Sequence, residues 1–344
     1  MGTLYRNVDV IVGGQYGSEG KGNIVSKIAH KYAVMVRTGG PNAGHQVVYG
    51  GKKYTFHHLP SGSLHNKDAL LVLGAGAVIH PQKLLEEMDR CNVEPTRVFI
   101  HPQAMIIYDD DLVDDQHFHG TIGSTAQGVG VATVRKIRRG GGDVLAKSSS
   151  LYPFVRRYQM EFPYGFSRMG QFNRRILVEG TQGTMLSLHH GHWPHVTSRD
   201  TTVSGVLSEA GIPPGQVNRS VMVVRTYPIR VQNPPGGTSG PMPYEITWAE
   251  VARRSGKYTE TQLREAERTS TTGRQRRVSE FSMDEFLHAY HLNGPTDIAL
   301  TFADYMQPDM LWRITSQIVG YAPISLQASG PTPADVHWQN EKEW

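Results

Sequence analysis

The 344-residue sequence predicts an α/β protein with a mainly parallel central sheet, flanking helices and a phosphate-loop-like nucleotide site. Three observations carry that prediction. Short, uninterrupted apolar runs recur along the chain, as strands buried on both faces require. Stretches of helical period separate several of them, the alternation of a parallel sheet with its crossover helices. Glycines gather just after the apolar runs, 37 in all against the roughly 7% of an average composition. Ligands of such sheets bind beyond the carboxyl ends of the strands, where a glycine lets backbone approach them closely.

Taken in order, the strands read as Val8–Val12, Ala33–Val36, Leu70–Leu73, Val98–Ile100, Ile176–Val178, Val221–Val224 and Ile298–Thr301. Gly22–Tyr32 and Pro81–Arg90 read as helices, the second with proline near its start, where the missing N–H would be unsatisfied anyway. Pro234–Pro243 (PPGGTSGPMP) is the most loop-like stretch, and no internal repeat is visible. The expected organisation is one large α/β domain over residues 1–331 with a frayed C-terminal tail over 332–344.

Charged residues are 19% and hydrophobic ones 38%, an ordinary globular balance. No apolar run reaches the roughly 18 residues of a membrane span, so no membrane partner is expected. The start, MGTLYRNVDVIV, lacks the layout of a signal peptide, and the single Cys91 allows no intrachain disulfide. A reducing cytoplasm is therefore expected. The net charge is +4, and the densest basic groups, Arg135–Arg139 and Arg274–Arg277, are not interleaved with aromatics. Small phosphorylated or carboxylated substrates explain such arginines as well as nucleic acid does, and no nucleic-acid partner is expected.

The segment GGQYGSEGKG, residues 13–22, breaks from the first strand into glycines ahead of a lysine. It misses the common phosphate-loop spacing: Gly14 and Gly20 enclose five residues, and Gly22 stands where a magnesium-holding hydroxyl would follow Lys21. The glycines still suit backbone amides wrapped round phosphates, with Lys21 as a compact charge and a helix N-terminus behind. A glycine-rich strand-to-helix turn is the plain alternative. Three further segments follow: RTGGPNAGHQ (Arg37–Gln46), VEGTQGTML (Val178–Leu186) and ERTSTTGRQRR (Glu267–Arg277). HHGHWPH (His189–His195) has neither the spacing nor the cysteines of a structural zinc site.

These four loops, in this order, resemble those of the adenylosuccinate synthetase family, from about Val8 to Pro331. The resemblance implies a two-step ligation. The γ-phosphoryl group of a nucleoside triphosphate goes to O6 of a 6-oxopurine nucleotide, and the aspartate amine then displaces phosphate at C6. It implies catalytic roles for Ser18, Lys21, His45 and Gln182. His45 would donate to the charge developing on O6, and the amide of Gln182 would read the purine O6/N1 edge.

For the triphosphate the resemblance points to Gly17, Glu19, Gly20, Lys21, Gly22 and Asn23, with Phe302, Asp304, Ser329, Gly330 and Pro331 around its base. For the purine monophosphate it points to Ser18, Asn42, Ser124, Thr125, Arg138, Gln182, Thr197 and Arg230. For aspartate it points to Ser270, Thr271, Thr272, Gly273, Arg274 and Arg276, whose guanidinium forks suit two carboxylates. Magnesium would meet Ser18 and the Gly44 carbonyl. A homodimer is implied, with Arg138 donated to the partner's site.

Three departures from the family refine the substrate. Ser18 replaces an aspartate that serves as base for purine N1–H and as a magnesium ligand. A serine is no comparable base at neutral pH, but it is smaller and uncharged beside C2, where guanine carries an amino group and hypoxanthine only hydrogen. Phe302-Ala303-Asp304 stands where the family has Lys-x-Asp, which moves the expected co-substrate from GTP to ATP or dATP. Pro41 replaces a histidine. The combination resembles the phage-type branch of the family, whose members join L-aspartate to dGMP on the way to 2-aminoadenine for DNA, in the host cytoplasm when phage-encoded. Substrate phosphate, water and Glu19 are the candidates for taking the N1 proton. The alternatives are an ordinary adenylosuccinate synthetase using IMP and GTP, and a non-catalytic nucleotide-binding protein.

Overall fold

The computed structural model describes residues 5–139, 144–162, 165, 174–269 and 273–339. Its strands run β1 (Val8–Gly13), β2 (Val34–Gly39), β3 (His45–Tyr49), β4 (Lys52–Phe56), β5 (Leu70–Ile79), β6 (Val98–Ile100), β7 (Met105–Ile106) and β8 (Ile176–Glu179). They continue as β9 (Val217–Arg225), β10 (Ile229–Val231), β11 (Glu245–Ile246), β12 (Arg276–Ser279), β13 (Asp297–Thr301), β14 (Ile324–Ala328) and β15 (Val336–Trp338). The central sheet follows the order β15-β14-β13-β9-β1-β8-β2-β5-β6, with β7 extending β5. Every pairing in it is parallel except β14 with β15.

Alternate residues of each apolar run pack into different cores. Val8, Val10 and Val12 of β1, Val34 and Val36 of β2, and Met222 and Val224 of β9 join one cluster. Ile11, Met35, Val221 and Val223 join the other. This period of two is why the runs carry no polar face. Helices cover both sides. Among them, α1 (Lys21–Ile28) and α2 (Pro81–Arg90) supply Ile24, Val25, Ile28, Leu84 and Met88 to the first side. On that side too α5 (Tyr152–Glu161) packs Val155. Across the sheet, α6 (Val203–Ala210) and α9 (Met283–Asn293) supply Val206, Leu207, Phe286 and Ala289. The remaining helices are α3 (Asp109–Ile122), α4 (Val129–Arg138), α7 (Trp248–Ser255), α8 (Glu260–Ala266) and α10 (Pro308–Ile318). Among the described residues no helix is long and apolar enough to cross a membrane.

Each strand expected from the sequence is present, and α2 spans Pro81–Arg90 as read, with Pro81 in its first turn. The helix expected over Gly22–Tyr32 stops at Ile28 and tightens into a 3₁₀ turn over Ala29–Lys31. Among the elements that the sequence reading did not name is the hairpin of β3 and β4, turned by Gly50 and Gly51 at φ 56 and 75°. Two adjacent positive φ values are what a two-residue hairpin turn demands, and glycine supplies them without strain. The tail needs correction. Residues 333–335 form a 3₁₀ turn and β15 pairs antiparallel with β14, so part of the segment set apart as 332–344 belongs to the sheet. Val336 is fully buried and anchors it.

Candidate active site

Loops leaving the carboxyl ends of β1, β2, β8, β13 and β14 line two adjoining cavities. The larger measures about 1030 Å³ and the smaller about 440 Å³. Asn42, Ser124, Thr125, Arg138, Gln182, Thr197 and Arg230, the residues expected at the purine monophosphate, all line the larger one. Glu19, Gly20, Lys21, Gly22, Asn23, Phe302, Asp304, Gly330 and Pro331, expected at the triphosphate, line the smaller. Ser18, Gly44, His45 and Arg276 line both, so they stand where the two occupants would meet.

The glycine-rich loop is braced from within. Gly20 caps α1 in the left-handed conformation at φ 84°. Glu19 is wholly buried: one carboxylate oxygen accepts from the amides of Gln15 (3.1 Å) and Gly17 (2.8 Å), and the other from Lys21 Nζ at 2.6 Å. Lys21 Nζ also donates to the Gln182 carbonyl at 2.5 Å. Both oxygens of Glu19 are therefore engaged, and the geometry does not favour it as the N1 base. Gly17, expected at the triphosphate, lines the larger cavity and not the smaller, with its amide turned in to Glu19.

Ser18 has a left-handed backbone at φ 58° and an exposed side chain. Two arginines hold it: Arg225 donates to its carbonyl (3.2 Å) and Arg276 to its hydroxyl (3.0 Å). Both arginines pair with buried Glu267, Arg225 at 2.7 Å and Arg276 at 3.1 Å. Arg225 also lies over the ring of Phe302, 3.7 Å from its centroid. Gln182 and Phe302 share the left-handed backbone, at φ 58 and 56°. Non-glycine residues rarely adopt it, and such strain concentrates at ligand sites.

His45 begins β3 and is buried. Its Nδ1 lies 2.5 Å from the Glu179 carboxylate at the end of β8. Arg37, at 3.3 Å, and the Ser61 hydroxyl share that carboxylate. Burial, reinforced by Arg37, lowers the imidazole to about 4, while Arg37 and His45 overcome burial and hold Glu179 near 2. The resting pair is a neutral imidazole donating from Nδ1 to a carboxylate, leaving Nε2 for the cavities. Gln182 is constrained likewise. Its Oε1 accepts from the Thr181 hydroxyl at 2.8 Å, while Nε2 is buried without a partner. The free group is a donor, matched to a purine O6 rather than to both O6 and N1–H. Asn42 Oδ1 is a second unpartnered buried polar atom at the larger cavity.

The remaining expected residues divide. Arg274 lines the larger cavity and donates to the Gln232 carbonyl at 3.1 Å. Arg276 starts β12 instead of lying in a loop, and its pairing with Glu267 makes it a brace for Ser18. Gly273, exposed at φ 65°, lines neither cavity. Ser270, Thr271 and Thr272 lie outside the described residues. Ser329 is exposed and lines neither cavity, since its backbone is tied to Asp335, whereas the Gly330 carbonyl accepts from Asn23 at 3.2 Å. Arg230 donates to the carbonyls of His195 and Pro241, and its guanidinium covers Tyr16. The Pro41 carbonyl accepts from the His57 ring at 3.0 Å.

The adenylosuccinate synthetase family profile matches residues 10–146 and 142–315. An adenylosuccinate synthetase from Methanocaldococcus jannaschii is 35% identical over 303 residues, 86% of this chain and 82% of its own. The chain belongs to the adenylosuccinate synthetase family. Like other members of that family it is a C–N bond-forming ligase dependent on a nucleoside triphosphate. Among solved structures, the succinoaminodeoxyadenylate synthetase of cyanophage S-2L, bound to dGMP and to dATP as an energy donor, superposes with a TM-score of 0.83. It is 31% identical, over 97% of this chain and 95% of that one. The fully ligated adenylosuccinate synthetase of Plasmodium falciparum shares the fold, with TM-score 0.81 at 23% identity, over 97% of this chain and 100% of that one.

Adenylosuccinate synthetases typically use magnesium, and the donors here fit an ion that arrives on the triphosphate. Ser18 and Gly44 offer neutral oxygens at the boundary, and among the described residues no group of three or more His, Cys, Asp or Glu could hold a metal. A magnesium ion held mainly by phosphates and water needs no such cage. The sequence reading missed Glu179, Arg225 and Glu267. Glu179 and Glu267 lie inside the quoted motifs, but only their burial against arginines marks them as structural anions.

Proposed function

We propose that this protein joins L-aspartate to C6 of dGMP, consuming ATP or dATP, to give N6-succinyl-2-amino-2′-deoxyadenylate for 2-aminoadenine-containing DNA. The observation that carries the reading is Ser18: a small neutral side chain, its hydroxyl held by Arg276 and its backbone carbonyl by Arg225, at the junction of the cavities. A carboxylate there would crowd the 2-amino group of a guanine base, whereas the smaller hydroxyl leaves it room and can accept from it. The S-2L enzyme's dGMP and dATP support the same choice.

In the first step the γ-phosphoryl group leaves the β-phosphate and bonds to O6, as the N1 proton passes to a substrate phosphate or to water. Lys21 and the amides around Gly20 neutralise the transferring phosphoryl group, and Gln182 Nε2 donates to O6. Ser18 and the Gly44 carbonyl would hold magnesium on the triphosphate, which would supply further charge neutralisation. In the second step the aspartate amine attacks C6, the C6–O6 bond breaks and phosphate leaves carrying the proton that the amine gives up. His45 stabilises the oxygen's negative charge through Nε2 when protonated, and Glu179 stabilises the imidazolium. Arg274 takes an aspartate carboxylate, Ser124, Thr125 and Thr197 take the 5′-phosphate, and Arg138 reaches the neighbouring site of a homodimer.

The archaeal relatives' names favour a second reading, IMP with GTP. Phosphate release separates the two. Each of dGMP and IMP is paired with each of ATP and GTP, with and without aspartate. Aspartate-dependent release should be strongest with dGMP and ATP. Strongest release with IMP and GTP would return the ordinary assignment.

A further inference from the structure

The smaller cavity has a polar group that its neighbours have half occupied. Phe302 and Asp304 enter it from the turn after β13, Gly330 and Pro331 from the loop after β14, and Tyr258 from the segment between α7 and α8. The Tyr258 hydroxyl donates to Asp304 Oδ2 at 2.6 Å. Among the described residues, Oδ1 receives no hydrogen bond. The tyrosine is itself fixed, its ring edge-on to Tyr305 at 5.5 Å between centroids and the Lys257 ammonium 5.2 Å from its own. Tyr305 in turn donates to Glu267 at 3.0 Å. The hydroxyl is thus held against the carboxylate from a separate element of the fold.

We propose that Tyr258 is a specificity-determining residue of the triphosphate site: by occupying Asp304 Oδ2 it leaves one acceptor oxygen for the base and so selects adenine over guanine. Guanine offers N1–H and its 2-amino group side by side, a fork of two donors that matches both oxygens of a free carboxylate. Adenine offers a single donor, its 6-amino group, which one oxygen satisfies. With Oδ2 committed to Tyr258, guanine must leave one desolvated donor unpaired or displace the phenol, and unpaired polar groups are what sites reject most strongly. Phe302 adds stacking surface for either base and does not discriminate between them.

The inference rests on assigning the smaller cavity to the triphosphate, as the proposed function does. The test is equilibrium binding of non-hydrolysable ATP and GTP analogues to the full chain, with magnesium and without monophosphate or aspartate. Wild type should favour the ATP analogue, and Tyr258→Phe, which keeps the ring, should shift the ratio toward the GTP analogue by about tenfold. In an Asp304→Ala background the same tyrosine change should leave the ratio where it was. The inference is overturned if Tyr258→Phe leaves the ratio unchanged, or shifts it equally without Asp304. It is overturned too if wild type binds neither analogue, which removes the triphosphate assignment itself. Normal binding without aspartate-dependent turnover sinks only the ligase reading, and the binding ratios then decide this one. Should Tyr258→Phe prove unstable in thermal melts, Asp304→Ala alone must abolish the wild-type preference, and a preference that survives overturns the proposal.

Discussion

On the proposed function, Ser18 sets substrate choice among surroundings that are already committed. Arg225 and Arg276 approach its carbonyl and hydroxyl, so a carboxylate at this position would draw Arg276 toward it and extend into the larger cavity. Ser18→Asp is expected to cut turnover with dGMP by at least about tenfold, the scale of one crowded or unpaired polar contact. Turnover assays with dGMP and IMP at saturating aspartate and ATP check it, and equal use of dGMP by both proteins would remove Ser18 as selector. The two arginines of the TTGRQR segment should also behave differently. Arg274→Ala should raise the Michaelis constant for aspartate about tenfold or more, by loss of a charge-assisted pair. Arg276→Ala, which frees the Ser18 hydroxyl and leaves Glu267 to Arg225 and Tyr305, should lower kcat as well. Steady-state kinetics separate them, and identical profiles would contradict the division of roles. Lys21→Ala should lose turnover by about a hundredfold or more. It should also lower the melting temperature, because it leaves the buried Glu19 carboxylate without its ion pair. Adding Glu19→Gln should recover stability and not turnover; recovery of both would show that Lys21 does no work on phosphate.

At the scale of elements, the strand-to-helix turn from β1 into α1 depends on close backbone approach. A Cβ on Gly13 would lie 2.5 Å from Glu19 Oε2 and 2.6 Å from the Gln182 carbonyl, so an alanine must push apart the two loops that hold Lys21. Gly13→Ala is expected to destabilise by about 1–3 kcal/mol, the usual cost of overpacking, and to weaken triphosphate binding with little effect on the monophosphate. Thermal melts and binding titrations of each nucleotide test this, and equal weakening of both would place the damage elsewhere. The same dependence explains what was legible locally. Gly13–Gly22 could be read as a phosphate cradle because strand, glycines and lysine lie within a few residues. The β3–β4 hairpin carried a signal as well, Gly50-Gly51 between alternating residues, and the pattern was there to be found. No local signal pairs Arg225 with Glu267, 42 positions along the chain.

For the whole molecule, the buried histidines predict acid sensitivity. Burial and neighbouring Arg37 lower His45 to about 4, and burial, with His57 and Arg37 nearby, lowers His58 well below its ordinary value. Below about 6.5, the ordinary histidine value, the unfolded chain takes up protons that the folded chain refuses. Stability must therefore fall as pH drops from about 6.5 toward 4. Glu179, held near 2, adds to the loss at the lower end, since its carboxylate prefers to stay ionised in the fold. The melting temperature should drop by at least about 5 °C between pH 7 and pH 5. His45→Asn should flatten that dependence; a pH-independent melting point would contradict the neutral, buried assignment.

The sequence by itself determined the class of fold, the order of the strands along the chain and the identity of the loops that carry chemistry. Those properties are encoded in runs of a few residues, where apolar period and glycine placement act locally. It also determined the family, because the four loops keep their order. Only the tertiary structure decided which residues share a cavity, that Arg276 braces Ser18, that Gln182 has just its donor to offer, and that Tyr258 occupies Asp304. Those outcomes depend on hydrogen bonds between segments brought together by sheet pairing. A parallel sheet joins residues far apart in the chain, and the register that aligns them is a property of the packed core rather than of any one segment.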